Sequence, residues 1–268
     1  MKFKRLISGL ILFPIFAIIF VFGNKYLLDV LVSIIAIMCL HEFYKAFDTK
    51  AKPIKWVGYI AASIIAIIHL IPTSLILNFI SAIVPISMLL LFLIIIISNM
   101  KINIIDIAVT FLGICYIVIF LVFIPLTREN LNNGKILVWY IFWTAWGTDI
   151  FAFVTGKLIG KHKFTRISPN KTIEGCIGGT IGAIAMVLVY TLICNKIWNL
   201  QINYIYISLI GVVLSIIGQI GDLSASCIKR YTEIKDFSNL IPGHGGMLDR
   251  IDSVLFIAPF AYFLLSLI

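Results

Sequence analysis

Long apolar runs that carry almost no charge constrain this chain more than any other feature of its sequence. The stretch from Leu89 to Ile97 is wholly apolar, and 61% of the 268 residues are hydrophobic while only 12% are charged. Soluble domains carry about 25% charged residues, so this chain has too few to cover a water-exposed surface. We therefore predict an all-α, polytopic integral membrane protein and exclude the soluble, disordered and disulfide-stabilised secreted classes.

About nine segments are long and apolar enough to cross a bilayer, which takes about 20 residues per helix. Pro72 and Pro85 interrupt a nearly continuous apolar stretch, so the third and fourth spans have the least secure ends. The predicted spans are Leu6–Phe22, Tyr26–Phe43, Trp56–Ile71, Leu75–Ile97, Ile104–Pro125, Ile136–Thr155, Gly175–Ile193, Tyr204–Gly221 and Ile251–Ile268.

The basic residues are divided unevenly between the loops that these spans define. With a cytoplasmic N-terminus, all but four of the 21 Lys and Arg fall on the cytoplasmic side, the exceptions being Lys25, Arg128, Lys135 and Lys196. Cytoplasmic loops usually carry such an excess. We therefore predict a cytoplasmic N-terminus, an external C-terminus and location in a bacterial cytoplasmic membrane. In a membrane protein the location of the charges matters more than the net charge of +9, and we expect no nucleic-acid partner.

Two polar loops, residues 157–174 and 222–250, stand apart from the short remaining loops, and both fall on the predicted cytoplasmic side. We expect transmembrane helices alone in residues 1–135 and a catalytic region in residues 136–268. The five cysteines are scattered without a C-x-x-C pair, so neither a zinc site nor a disulfide framework is indicated.

The second polar loop combines carboxylates, cations and a glycine-rich turn. If the helix of the eighth span continues past the membrane, one face carries Asp222, Ser226, Lys229 and Glu233. Asp249 and Asp252, at the start of the ninth span, either bind one cation or act as an N-cap and a first-turn acid. Mg²⁺ is usually held by one or two carboxylates together with substrate phosphates. Carboxylates beside lysines and arginines therefore indicate a metal-dependent phosphate site.

The first polar loop prepares a helix N-terminus that could bind an anion. Ser168 and Pro169 indicate a turn, Thr172 is a candidate N-cap of the seventh span, and Lys171 lies beside it. The alternative is a basic loop that contacts anionic lipid headgroups.

Charged and small residues inside the spans add further expectations. A carboxylate within a span indicates function or pairing, which applies to Asp149 in the sixth span. Glu42, beside His41 at the end of the second span, is a weaker candidate of the same kind, and the alternative is that it faces headgroups. Rows of small residues, which include Gly175 in the seventh span and Gly211 in the eighth, allow close helix contact and would bring the two polar loops side by side.

The run from Ser226 to Asp252, SCIKRYTEIKDFSNLIPGHGGMLDRID, resembles the phosphatidate cytidylyltransferase (CDP-diacylglycerol synthase) family. That family's pattern combines Ser-x-apolar-Lys-Arg, Lys-Asp, apolar-Pro-x-His-Gly-Gly and Asp-Arg-apolar-Asp, and every fixed position is met. The segment from Ser168 to Gly175, SPNKTIEG, is similar to the family's second cytoplasmic motif.

The resemblance implies that CTP and phosphatidate react to give CDP-diacylglycerol and pyrophosphate in membrane phospholipid biosynthesis. It implies Mg²⁺, leaves room for a second cation, and allows a homodimer. Asp222, Asp249 and Asp252 would be the metal ligands, and Lys229 would act with them in catalysis. The substrate-binding residues would be Ser168, Lys171, Ser226, Arg230, Lys235, Asp236, His244 and Arg250. His244 would be a phosphate or loop-positioning donor, because the nucleophile is already an anion.

Two alternatives from other classes remain open at this point. One is another CTP-using membrane lipid enzyme, such as a polyprenol kinase. The other is a transporter, which should carry ionisable residues near the bilayer midplane and repeated halves. Here the charges collect on one side and no repeat is visible, which disfavours the transporter.

Overall fold

A computed structural model describes residues 17–240 and 245–268 of the chain. Within that part every regular element is a helix, and one isolated antiparallel bridge joins Lys163 to Thr172. The helices are α1 (Lys25–Ala46), α2 (Lys55–Ile64) with a 3₁₀ continuation (Ile65–Leu70), α3 (Thr73–Ile97), α4 (Ile104–Gly113), a π-helical stretch (Ile114–Ile119) that leads into α5 (Phe120–Asn130), α6 (Gly134–Leu137), α7 (Trp139–Ile159), α8 (Ile173–Trp198), α9 (Tyr204–Tyr231) and α10 (Leu248–Leu265).

Six helical segments of the described chain are long and apolar enough to cross a membrane: α1, α3, α4 to α5, α6 to α7, α8 and α9. The segment Lys55–Leu70 is apolar but shorter, and α10 has 18 residues. The prediction of an all-α, polytopic membrane protein is confirmed. Each predicted span from the second to the ninth overlaps one of these helices. The first, Leu6–Phe22, lies mostly outside the described residues, and the total of nine and the sides of the termini stay predictions.

The two prolines of the long apolar stretch act differently. Pro72 immediately precedes α3, a position where its missing N–H leaves no helical hydrogen bond unmade. Pro85 lies inside α3, which continues on both sides of it. Proline is tolerated inside membrane helices where neighbouring groups satisfy the freed backbone. The sequence therefore divides the third and fourth spans at Pro72 alone.

The chain forms two compact units. The first comprises the described residues up to Pro125 together with the segment that begins at Tyr231 and ends at Arg250. The second comprises Leu126–Arg230 and Ile251–Ile268. The predicted boundary at residue 135 concerned function rather than packing, and it stays a prediction.

In the first unit, the packing of α1 against α2 and α4 centres on Tyr44. Its buried hydroxyl donates to the carbonyl of Thr110 at 3.0 Å. A Cβ placed on Gly58 or Gly113 would lie 2.2 Å or 2.6 Å from Tyr44 side-chain atoms. Only glycine allows both helices to approach the ring this closely. A second buried contact joins the 3₁₀ turn to α1, where Nδ1 of His69 lies 2.8 Å from Oδ1 of Asp29.

In the second unit, the rows of small residues on α8 and α9 lie against more than one neighbouring helix. A Cβ on Gly178 would lie 2.2 Å from Oγ1 of Thr155 in α7, so the small face of α8 packs against α7. On α9, a Cβ on Gly218 would lie 2.8 Å from Ile257 in α10. A Cβ on Gly211 of α9 would lie 3.8 Å from Ile184 of α8, so the α9 row contacts α8, whereas the glycine row of α8 packs against α7.

Candidate active site

The loop between α7 and α8 folds as a short hairpin in the second unit. Phe164 N–H donates to the carbonyl of Lys171 at 3.0 Å, and Ile173 N–H donates to that of His162 at 2.9 Å. Oγ1 of Thr172 accepts from Gly175 N–H at 3.1 Å, which confirms Thr172 as the N-cap of α8. The hairpin therefore holds Lys171 immediately before the α8 N-terminus.

A second contact closes the base of this hairpin. Nδ1 of His162 lies 2.6 Å from Oε1 of Glu174, and the backbone N–H of His162 donates to the same carboxylate at 3.3 Å. Glu174 is in the first turn of α8, where a negative charge is favoured by the helix dipole. This contact fixes the direction in which the loop leaves the helix. Ser168, at the tip, is half-buried, and its carbonyl accepts from Lys171 N–H at 3.0 Å.

The two polar loops meet at an ion pair and a hydrogen bond. Lys171 Nζ pairs with a carboxylate oxygen of Asp222 on α9, and both side chains are about one quarter exposed, at 26% and 27%. Arg230 Nε donates to the carbonyl of Ile167 at 3.3 Å. The expectation that the loops lie side by side is confirmed for the residues of the second unit.

Helix α9 carries three of the four residues of the predicted polar face. It continues to Tyr231, so Asp222, Ser226 and Lys229 lie on one helical face as predicted. Glu233 does not extend that face, because the helix ends before it and its φ is +61°. Its carboxylate lies 3.0 Å from Lys50 Nζ in the first unit, and this hydrogen bond raises the pKa of Lys50.

Asp222 and Asp252 lie beside a close approach of α9 and α10. A Cβ on Gly221 would be 2.7 Å from the carbonyl oxygen of Asp252, so only glycine fits there. Asp252 is 8% exposed, and its Oδ1 accepts from Ser253 N–H at 2.8 Å. Asp222 and Asp149 both place negative potential on Asp252, and Lys229 opposes it. The role of Asp149 was open from sequence, and its charge acts on the carboxylate of Asp252.

Asp249 holds the polar loop of the first unit together. Its Oδ2 accepts from Phe237 N–H at 2.9 Å and from Gly246 N–H at 3.0 Å, and the residue is 8% exposed. Asp249 lies in the first turn of α10, so its side chain reaches back to the backbone that precedes the helix. The cap alternative therefore has support, and the metal role of Asp249 stays a prediction.

Glu42, whose role was open from sequence, has buried contacts that sequence reasoning missed. Its Oε1 accepts from Ser238 Oγ at 2.6 Å and from Met247 N–H at 2.9 Å, and its Oε2 accepts from Leu248 N–H at 2.8 Å. The residue is 3% exposed. The alternative that Glu42 faces headgroups is wrong, because the start of α10 covers it. The available signal was a carboxylate inside a predicted span, where burial of a charge requires partners.

The two adjacent glycines of the motif have separate reasons to be glycine. Gly245 has a φ of +82°, a conformation that residues with a Cβ rarely adopt. A Cβ on Gly246 would lie 2.5 Å from Oε2 of Glu42. Three further residues of this unit that were predicted to bind substrate are exposed: Lys235, Asp236 and Arg250. His244, with residues 241–243, lies outside the described residues.

The donors of the second unit suit Mg²⁺ in their chemistry. Carboxylate oxygens are the ligands that Mg²⁺ takes, usually one or two from the protein and the rest from water and phosphate. Asp222 and Asp252 supply two such groups on neighbouring helices, with Lys171 as a cation in contact with the first. Among residues 17–240 and 245–268, no three or more His, Cys, Asp or Glu are grouped for a metal ion.

Sequence comparison with known proteins assigns the chain to a family. The model of the cytidylyltransferase family matches residues 3–268. Over 169 residues the chain is 42% identical to the phosphatidate cytidylyltransferase of Bacillus subtilis, covering 62% of this chain and 59% of that protein. It is 38% identical over 173 residues to that of Staphylococcus aureus, and 37% identical over 171 residues to that of Staphylococcus haemolyticus, each match covering 63% of both chains. The matched stretch thus spans about three fifths of the relatives' length, and the chain belongs to the cytidylyltransferase family.

Proposed function

We propose that the chain is a phosphatidate cytidylyltransferase, which converts CTP and phosphatidate to CDP-diacylglycerol and pyrophosphate. The observation that carries the proposal is the ion pair between Lys171 and Asp222, because it joins the shorter motif of the family to the helix on which the longer motif begins. The names of the relatives support the substrates.

The chemistry requires positioning and charge neutralisation more than proton transfer. A phosphate oxygen of phosphatidate forms a bond to the α-phosphorus of CTP, and the bond from that phosphorus to the bridging oxygen of the β-phosphate breaks. Pyrophosphate takes the electron pair. Because the nucleophile is an anion, no strong general base is needed. Cations that surround the phosphates reduce the repulsion between the two anions and stabilise the charge that develops.

The residues of the second unit fit these requirements. Lys171 at the α8 N-terminus, with Lys229 and Arg230 on α9, would bind phosphate oxygens. Ser226 lies on the same face of α9 and would donate a hydrogen bond. Asp222 and Asp252 would hold Mg²⁺, which when bound supplies positive charge to the substrate phosphates.

For the polar segment of the first unit, the family resemblance implies roles that we include in the proposal. Asp249 would hold metal, as the resemblance implies, and Lys235 and Arg250 would bind phosphate as exposed cations. Asp236 belongs to the same substrate-binding set. His244 would donate a hydrogen bond to a phosphate or to the loop. A second cation remains part of the proposal.

The location of the site is part of the same proposal. The charge distribution supports a bacterial cytoplasmic membrane with both polar loops on the cytoplasmic side, where CTP is available. Homodimer formation, which the family resemblance allows, would be measured by the mass of the detergent-solubilised protein.

The test is an assay of the purified protein in liposomes with CTP labelled at the α-phosphate, phosphatidate and Mg²⁺. We expect a labelled lipid and unlabelled pyrophosphate, and no product after divalent metal is removed with EDTA. Transfer of label from γ-labelled CTP to a polyprenol, with no reaction of phosphatidate, would instead establish a polyprenol kinase. Absence of nucleotide turnover with every lipid acceptor would refute both.

A further inference from the structure

The carboxylate of Glu42 is buried against the backbone that leads into α10. It accepts from the N–H groups of Met247 and Leu248 at 2.9 Å and 2.8 Å, and from the hydroxyl of Ser238 at 2.6 Å. The first N–H groups of a helix have no partner within the helix, and they form the positive end of its dipole. A negative side chain in this position satisfies them and is stabilised in return.

The same carboxylate also limits the space around the loop. Because a Cβ on Gly246 would lie 2.5 Å from Oε2, the backbone at Gly246 passes directly over Glu42. On its other side, the N–H of Gly246 donates to Asp249 at 3.0 Å. The loop is therefore held between two carboxylates, one on α1 and one on α10.

These contacts connect Glu42 to Asp249 through three consecutive backbone groups. Gly246 is bonded to Asp249, and the next two residues are bonded to Glu42. If Glu42 no longer accepted those hydrogen bonds, the first turn of α10 would lose the partners that fix its position. Asp249, in that turn, would then be displaced.

We propose that Glu42 is a positioning residue for nucleotide transfer, which sets the place of Asp249 and of Gly245 and Gly246 without contact to substrate. This inference rests on the proposed function. Glu42 acts through the backbone of residues 245–248, and its own charge serves the helix N-terminus.

The experiment compares Glu42→Gln with Asp48→Asn in the full-length protein. Glutamine keeps the volume of Glu42, but its amide nitrogen is a donor and cannot accept from a backbone N–H. Asp48 is a matched control, because its exposed carboxylate pairs with Lys55 at 3.0 Å on the surface of the same unit. Replacing a group that orients metal ligands typically costs about 10–100-fold in metal affinity or activity.

For Glu42→Gln we expect a fall of about 10–100-fold in kcat and a higher Mg²⁺ concentration at half-maximal rate. In the absence of metal and substrate, amide hydrogen exchange of the peptide that covers residues 245–250 should be faster than in wild type. Exchange in α7 and α8 should be unchanged. Asp48→Asn should match wild type in every measurement.

A lower unfolding temperature with unchanged kcat, Mg²⁺ dependence and local exchange would overturn the inference, because Glu42 would then only stabilise the fold. The exchange measurement separates this inference from the proposed function. If the wild-type protein made no CDP-diacylglycerol, the proposed function would fail. Unchanged exchange in residues 245–250 of Glu42→Gln would still overturn the positioning role, and faster exchange would support it.

Discussion

Lys171 and Asp222 form an ion pair between the α8 N-terminus and the polar face of α9. Each is predicted to bind part of the substrate complex, the lysine a phosphate and the aspartate a metal. Within this pair, each side chain has a partner of opposite charge. Substrate binding would replace this pair with a phosphate contact and a metal contact.

The first prediction concerns Lys171. Substitution Lys171→Gln removes a charged hydrogen-bond donor, whose contact is worth about 1.5–3 kcal/mol. We expect kcat/KM to fall by roughly one to two orders of magnitude, since 1.36 kcal/mol corresponds to a tenfold change. The measurement is initial rate against CTP and phosphatidate concentrations. Lys157→Gln, an exposed lysine in the last turn of α7, serves as control and should retain the wild-type rate. Equal loss in both variants would indicate a general effect of loop charge.

The second prediction concerns Asp222 and Asp252. Because like charges repel at close range, Asp252→Asn should leave the unfolding temperature without metal unchanged or raise it. A ligand that binds only the folded state stabilises it, so Mg²⁺ should raise the unfolding temperature of the wild-type protein. We expect Asp222→Asn and Asp252→Asn to lose most turnover and most of this Mg²⁺-dependent rise. The measurement is thermal unfolding with Mg²⁺ and with EDTA, in one detergent. A full Mg²⁺ response in both variants would exclude them as ligands.

The third prediction separates two roles of Asp249. One oxygen of its carboxylate accepts both backbone hydrogen bonds, and asparagine keeps one oxygen that can do the same. If Asp249 serves only the loop, Asp249→Asn should therefore be mild, and even loss of a cap costs only about 0.5–2 kcal/mol of stability. We expect severe loss of turnover with little change in unfolding temperature. Rates near wild type with the same Mg²⁺ dependence would leave Asp249 with its loop-holding role alone.

The fourth prediction concerns Gly246. Alanine there would place a Cβ 2.5 Å from Oε2 of Glu42, so Gly246→Ala should reduce turnover sharply. Glu42→Asp shortens the opposing side chain by one methylene and makes room for that Cβ. We expect the double variant to be more active than Gly246→Ala alone, by the same assay. Activities of the double variant at or below those of Gly246→Ala would show that contact with Glu42 is not the reason for glycine.

The fifth prediction concerns topology. Single cysteines at Lys163, Asn239 and Ile268, in a cysteine-free background, would be treated with an impermeant thiol reagent on intact cells. The distribution of Lys and Arg predicts protection at the first two positions and labelling at the third. Permeabilised cells provide the control for reactivity. Labelling of position 163 or 239 in intact cells would contradict the predicted orientation.

Local patterns predicted much of the fold and part of the site. The apolar windows predicted the helices, and Thr172 was predicted as a cap because capping depends on a few adjacent residues. The face of α9 that carries Asp222 and Lys229 was predicted by helical spacing, which holds as long as the helix does. The prediction that Glu233 lies on this face was wrong because α9 ends at Tyr231. The carboxylate of Glu233 instead forms an ion pair with Lys50.

Contacts between distant segments could not be predicted in this way. Glu42 and Leu248 are separated by 206 positions, and no periodicity connects them. The glycine row of α8 was visible, but nothing in its spacing indicated that α7 rather than α9 would fill it. Asp29, buried beside His69, is a similar case, because its partner is 40 residues away.

The contact between Glu42 and Gly246 couples α1 to the C-terminal motif. A side chain larger than glycine at position 246 would meet the carboxylate at position 42, so the effect of a substitution at either position depends on the residue at the other. In chimeras that take the N-terminal helices from one homologue and the C-terminal motif from another, activity should depend on whether the residues at positions 42 and 246 fit each other. Helix α1 therefore supports the C-terminal motif directly and does more than anchor the chain in the membrane.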